Sequence, residues 1–256
     1  RMGPLSDDQL IEWLPSENWS EEQLSRRSAN KWEVTGYILI IGCGALGSFV
    51  SELLFRQELS RQILVDDDLV TAGTLVRNTL SMNDIGRNKA FALRDRLKEE
   101  LPHGEVFAVN KHFDERFEHG LINEVSLIID CTAEDDTLEA VEKSDLPPSA
   151  SFISLSVTYG ADQLIAFGSR CEELRFDDAL RLIHGVLPQD DDMAVLIRSE
   201  GRGCYHPAFP ADANRLASAA GMGLEFISHW LASNRDQEIQ TIPLSYEGQS
   251  RFPRTG

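Results

Sequence analysis

The sequence predicts an α/β fold built on a doubly wound, mostly parallel Rossmann-like sheet, and three observations carry that prediction. An apolar run, Tyr37–Ile41, leads straight into Gly42-Cys-Gly44-Ala-Leu-Gly47, and a helix-like segment follows at once. Strand, glycines and helix in that order are the context of a nucleotide-binding turn. Apolar runs of strand length then alternate with helical periodicity as far as Pro147-Pro148, the signature of parallel strands joined by helical crossovers. Finally, Val125–Asp130 is a continuous apolar run, as expected of a parallel strand covered on both faces.

Taken in order, residues 1–30 are polar and acidic, with a helical look around Ser6–Leu14 and Ser20–Arg27. They read as a helical leader to a single domain over 31–256. Strand one is Tyr37–Ile41. A helix from Ser48 to about Glu58 carries Val50, Leu53 and Leu54 on one face. Strand two, Gln62–Val65, ends at Asp66-Asp67-Asp68, and a loop runs to about Asp84. Gly86–Leu101 is an amphipathic helix with Ala90, Leu93, Leu97 and Leu101 at steps of three or four. Strands at Glu105–Val109 and Val125–Asp130 follow, giving a β-α-β-α-β-α-β pattern over a nucleotide-binding half, 36–146.

The second half, 151–246, reads differently. Ser151–Val157 and Gln163–Gly168 are strand candidates joined by the turn-rich Thr158–Asp162, which predicts a hairpin. A helix is expected over Asp177–Val186 and a polar loop over Pro188–Gly203. Ala211–Ala232 reads as a long helix rich in small residues, free to pack in the core or at an interface, and Glu238–Leu244 as a last strand. This half is expected to form a smaller α/β extension.

Composition narrows the function. A net charge of −18 repels nucleic acid and anionic membrane, so an anionic ligand requires a local cluster of positive charge. No apolar run approaches the ~20 residues of a membrane span, and the N-terminal residues lack a signal-peptide pattern. The four cysteines are scattered without Cys-x-x-Cys, so a four-cysteine zinc site has no support, and reduced thiols in the cytoplasm are the plain expectation. The start at Arg1 suggests a piece of a longer protein.

In the glycine turn, Gly42 permits a tight turn, Gly44 lets backbone N–H groups approach a phosphate, and Gly47 lets the helix pack on the strand. Ala45 and Leu46 complete the candidate phosphate contacts at the helix N-terminus. Asp66, at the end of strand two, is placed to bind ribose hydroxyls, with Asp68 a second candidate and Asp67 a solvated acid. That much also suits NAD. Arg77 with Asn78, and Lys89 further on, favour a triphosphate, because transfer at the α-phosphorus requires neutralisation of the leaving pyrophosphate.

At this point the chain resembles ubiquitin-activating-enzyme-like adenylation domains of the ThiF/MoeB/HesA type. The shared order is Gly-x-Gly-x-x-Gly, Asp-x-Asp, an Asn-Leu-x-Arg-like box at Gly73–Leu80, Ile85-Gly-x-x-Lys89-Ala, and Asp130-Cys-Thr132. The resemblance implies adenylation of the C-terminal carboxylate of a ubiquitin-like or otherwise conjugated protein partner, using ATP and Mg2+, by a homodimer. It implies that Asp130, Cys131 and Thr132 close the site. Two positions depart from the pattern. Thr74 stands where the family has Asn, and Ala133 where it has an Asp that assists magnesium, leaving Glu134 or Asp135 to substitute; Asp135 is the candidate metal ligand.

Gly201-Arg-Gly-Cys204-Tyr-His206-Pro-Ala-Phe is similar to a segment of bacterial activating domains fused to a conjugating-enzyme-like module in antiphage operons. That resemblance implies Cys204 as acyl acceptor, forming a thioester from the adenylate, and a conjugating module in the same full-length chain. Cys43 and Cys131 read as small core residues, and Cys171 as a minor rival nucleophile. The other readings are a NAD-dependent dehydrogenase, a peptide-adenylating enzyme that forms no thioester, and a degenerate binding module of the same fold.

Overall fold

The structure is a computed structural model and describes residues 32, 34–101, 103–187, 211–233 and 235–244. Seven strands form one sheet in the order β3-β2-β1-β4-β5-β6-β7. They are β1 (Tyr37–Ile41), β2 (Arg61–Val65), β3 (Glu105–Val109), β4 (Val125–Asp130), β5 (Ser151–Val157), β6 (Gln163–Arg170) and β7 (Gln237–Pro243). The first five in the sheet order run parallel; β6 and β7 are antiparallel to their neighbours. Strand order reverses between β1 and β4, and such a switch opens a crevice at the carboxyl ends of the strands. Among the described residues, no helix is long and apolar enough to cross a membrane.

Among the described residues, five helices cover the sheet: α1 (Ala45–Arg56), α2 (Lys89–Glu100), α3 (Asp135–Lys143), α4 (Phe176–Gly185) and α5 (Ala213–Leu231). One core holds Val50 and Leu54 of α1, Leu93 and Leu97 of α2, and Leu216 and Trp230 of α5 against one face of the sheet. The other holds Leu138 and Val141 of α3, with Leu174 and Ala179 at α4, against the opposite face. The small residues of α5 serve this core: Ala219, Ala220 and Gly223 are buried, and a Cβ on Gly223 would lie 2.9 Å from Leu155.

The β5–β6 hairpin forms as expected, its turn closed by Thr158 and Gln163 in reciprocal hydrogen bonds of 3.0 Å. Three features differ from expectation. α1 begins at Ala45 rather than Ser48, because Gly44 serves as N-cap and the helix starts inside the glycine motif. The β3–β4 connection holds no α-helix. It runs in tight turns, Phe117 N–H to Asp114 O and Ile122 N–H to His119 O, with Phe113 and Phe117 packed together at 4.9 Å and buried. Their four-residue spacing serves a looped crossing over two strands. Lastly, α3 is a helix that the strand–helix alternation did not reveal.

Candidate active site at the strand-order switch

The glycine turn is fixed from both sides. Gly42 adopts φ +86°, accessible to glycine without strain, and its N–H donates to Val65 O at 2.9 Å. Gly47 lies so close to the strand that a Cβ there would sit 1.8 Å from Gly42 O, whereas a Cβ on Gly44 meets nothing within 4 Å. The first amides of α1 thus start at the crevice with open space before them, an arrangement that attracts phosphate.

Asp66 latches this turn. Its Oδ2 accepts the Cys43 N–H at 2.7 Å and its Oδ1 accepts the Asp68 N–H at 2.8 Å. A carboxylate has about four lone-pair sites, so acceptor capacity remains for a sugar hydroxyl. Burial pushes the Asp66 carboxyl above its ordinary value, against the lowering effects of Lys89 and the two backbone donors.

Lys89 is buried and its ammonium is held by Asp68 at 2.6 Å, while 61% of the Asp68 side chain remains exposed. Asn88 organises both. Its amide donates to Asp66 O at 2.7 Å and to Asp68 O at 3.1 Å, and its Oδ1 caps α2 at the Phe91 N–H. An Asn directly before an amphipathic run is an N-cap signal, so this residue was open to discovery from sequence.

Arg77 and Asn78 are buried at the end of a short 3-10 turn, Ala72–Arg77. The segment is tied to α1 by the Thr79 N–H, which donates to Ser48 Oγ at 3.3 Å. At the end of β4, Asp130 is an internal brace. Its Oδ1 accepts from Thr132 N–H and Oγ at 2.9 and 2.7 Å, and its Oδ2 accepts from Ser154 Oγ at 3.0 Å.

Burial raises the Asp130 carboxyl above its ordinary 3.8; the bonds from Thr132 and Ser154 oppose this and the Asp135 charge adds to it. A raised acid contributes stability that is full below its unfolded value and lost as pH rises through the folded one. Asn keeps the shape and cannot ionise. Asp130→Asn is therefore expected to gain stability relative to the parent in urea unfolding as pH rises above about 4. A gain in the opposite direction on raising pH would contradict the assignment.

One cleft of about 750 Å³, open mouth included, gathers Gly42, Gly44, Ala45, Asp66, Asp68, Arg77, Asn78, Lys89, Cys131 and Thr132. Four anticipated residues lie elsewhere. Leu46 and Gly47 are buried in α1 behind the turn, and Asp130 stands behind Thr132. Asp135 is absent from the cleft wall, with its Oδ2 3.5 Å from His184 Nε2 of α4. Glu134, the alternative, does line the cleft, as do Thr74 and Asp67. Sequence reasoning missed Lys111, His112 and Phe113, from the loop after β3, and Thr137 of α3.

Ala133 takes a left-handed φ of 60°, which costs a non-glycine residue about 1 kcal/mol or more. Cys43 is buried behind the turn, while Cys131 is half-buried in the cleft wall. Burial raises the Cys171 thiol to about 12, which makes it a poor nucleophile. Cys204 and His206 lie outside the described residues.

Comparison with known proteins gives a consistent picture. Residues 20–143 match the ThiF family model. The chain is 34% identical over 230 residues to the ATP-dependent ubiquitin transferase-like protein Cap2 of Enterobacter hormaechei, covering 89% of this chain and 38% of that protein. It is 34% identical over 96 residues to the molybdopterin-synthase adenylyltransferase of Escherichia coli K12, covering 37% of this chain and 39% of the relative. The chain thus spans well under half the length of these relatives. Among solved structures, E. coli MccB with ATP matches with a TM-score of 0.55 at 17% identity, over 82% of this chain and 64% of that one. The same α/β fold is shared with E. coli TcdA in complex with AMP, at a TM-score of 0.53 and 15% identity, over 77% of this chain and 86% of that one. The glycine turn, the acid at β2 and the matches to this family together establish that the chain carries a ThiF family domain.

Proposed function

We propose that this chain binds ATP in the switch-point cleft and adenylates the C-terminal carboxylate of a protein partner. The observation that carries the reading is the meeting of Arg77 and Lys89 with the glycine turn in one cleft of a chain with net charge −18. Asp66 holds the ribose, and the open amides at Gly44 and Ala45 receive the phosphates. A carboxylate oxygen of the partner attacks the α-phosphorus. The bond to the bridging oxygen breaks, and pyrophosphate leaves with that electron pair, its charge met by Arg77 and Lys89.

The donor set suits a magnesium ion brought in on the phosphates rather than one caged by protein. Among the described residues, no group of three metal-capable side chains is assembled, while Mg2+ commonly takes one or two carboxylates plus substrate phosphates. Glu134 would hold it, and the ion would supply charge neutralisation.

In the same reading Cys204 then attacks the acyl-adenylate, releasing AMP and forming a thioester; its support is the sequence segment alone. The thioester passes to a conjugating-enzyme-like module of the longer protein, in the cytoplasm. Residues 1–30 form a leader to one domain over 31–256. Leu69, Val76, Met82 and Ile85 expose apolar surface on the β2–α2 connection and are the surface we assign to homodimer formation, which sedimentation of the wild type against Val76→Asp tests.

Thermal denaturation with magnesium-ATP against NADH tests the nucleotide assignment. ATP at about a hundred times its dissociation constant is expected to add about 2.7 kcal/mol, NADH nothing, and Arg77→Ala is expected to abolish the response. Stabilisation by NADH alone would overturn the reading in favour of a dehydrogenase.

A further inference from the structure

The reaction proposed above needs two reactants, and the two walls of the cleft are chemically different. Asp66 and Lys89 stand on the β2 side with Lys111 and His112. On the proposed reading the adenosine lies there and its phosphate reaches the glycine turn at β1. Whatever joins the α-phosphorus therefore lies across the switch, on the β4 side, where Cys131, Thr132, Glu134 and Thr137 form the wall.

Two independent observations on that wall point to a ligand. α3 starts there, and no side chain caps it: its N-cap is Glu134, whose carboxylate makes no capping hydrogen bond. Of the acids in its first turn, Asp135 faces His184 and Asp136 is exposed to water. Also in the first turn, Thr137 is completely buried, lines the cleft, and its Oγ1 has no hydrogen-bond partner among the described residues. Buried hydroxyls are nearly always partnered, and an orphan calls for an explanation. Asn78 repeats the pattern elsewhere in the lining of the cleft. It lines the cleft, is 8% exposed, and its amide nitrogen has no partner.

We propose that the α3 N-terminus and the Thr137 hydroxyl, with the Asn78 amide of the same cleft, form the subsite for the acyl end of the adenylate, that is, the carboxy-terminal residue of the protein partner. The inference rests on the adenylation reading and deepens it. When one carboxylate oxygen bonds to the α-phosphorus and pyrophosphate departs, the other becomes the carbonyl oxygen of a mixed anhydride. Hydrogen bonds from Thr137 Oγ and Asn78 Nδ2 to that oxygen position the acyl group. They also satisfy both orphan groups.

The test uses AMP and 5′-O-(N-glycylsulfamoyl)adenosine, a stable mimic of a glycyl adenylate, in titration calorimetry on this chain. The wild type is expected to bind the glycyl compound more tightly than AMP. Thr137→Val is expected to weaken the glycyl compound about tenfold, the scale of one hydrogen bond, and to leave AMP unchanged. Thr137→Ser, which keeps the hydroxyl, restores the preference. Loss of an orphan hydroxyl leaves the melting temperature of Thr137→Val equal or higher, which separates the result from misfolding. An equal loss for both compounds, or for neither, overturns the subsite while the adenylation reading stands. Failure of the wild type to bind either compound overturns both.

Discussion

Lys89→Ala is expected to lower ATP affinity about 10- to 100-fold while leaving the fold intact. The range follows from the strength of a hydrogen bond to a charged group, about 1.5–3 kcal/mol. The fold survives because Asp68, the ion-pair partner left behind, is 61% exposed and returns to water, and the buried Asp66, which loses the favourable charge of Lys89, keeps its two backbone donors. The chemical step suffers more than binding. Charge builds on the departing pyrophosphate, and removal of one preorganised donor to developing charge typically costs about 10²–10³ in rate. Calorimetry with ATP and with AMP isolates the contact to the outer phosphates, since AMP lacks the phosphates that Lys89 is proposed to meet. An equal loss for both nucleotides would move Lys89 from the phosphate chain to a general supporting role. Asp68→Asn gives the complementary result. It frees the ammonium from its ion pair and is expected to leave ATP affinity unchanged or improved.

Gly47→Ala is expected to be the most damaging small substitution in the domain. The added Cβ would meet Gly42 O at 1.8 Å, the Gly42 carbonyl carbon at 3.0 Å and Cys131 Cβ at 3.2 Å. The first of these atoms cannot move aside. It belongs to a backbone turn pinned by the Gly42 N–H to Val65 O bond and by the grip of Asp66 on the Cys43 N–H. Losses above about 4 kcal/mol arise from this kind of backbone collision, and urea unfolding should show the variant largely or wholly unfolded. Gly44→Ala is the control. Its Cβ enters open space, so stability should fall by less than about 1 kcal/mol while ATP binding weakens because the phosphate cradle is filled. If Gly47→Ala unfolds no more easily than Gly44→Ala, the tight packing of α1 on β1 is misplaced.

The parts of the fold that were legible in the sequence share a physical cause. Tyr37–Ile41, Glu105–Val109, Val125–Asp130 and Ser151–Val157 are observed with the expected boundaries, because short strands in a parallel sheet are marked by abrupt changes in polarity. α3 was hidden because it has only nine residues and opens on acids, with Thr137, Leu138, Ala140 and Val141 as its buried stripe. Conversely, Phe113 and Phe117 imitate a helix by their spacing, yet pack on each other within a loop.

The cleft divides the same way. Residues on motifs, from Gly42 to Lys89, could be named from their order along the chain, and Cys131 and Thr132 from the family resemblance. Lys111 and His112 reach the cleft only because an irregular crossing loop passes it, and no local pattern announces that. Asp135 and Glu134 were equivalent by sequence, and only the start of α3 decides that Glu134 faces the cleft while Asp135 meets His184.

The double grip of Asp66 on the Cys43 and Asp68 amides bears on how this cleft can change its nucleotide preference. In a site where the sugar-reading acid stands alone, one substitution can exchange one ribose-bearing ligand for another. Here the same carboxylate sets the path of the glycine turn, so Asn sets an N–H against one of the two backbone donors and Arg sets donors against both. Re-specification of the sugar pocket therefore demands at least a paired change in the turn. A selection for altered nucleotide use in this domain should return linked substitutions near Asp66 and Cys43, rather than single ones.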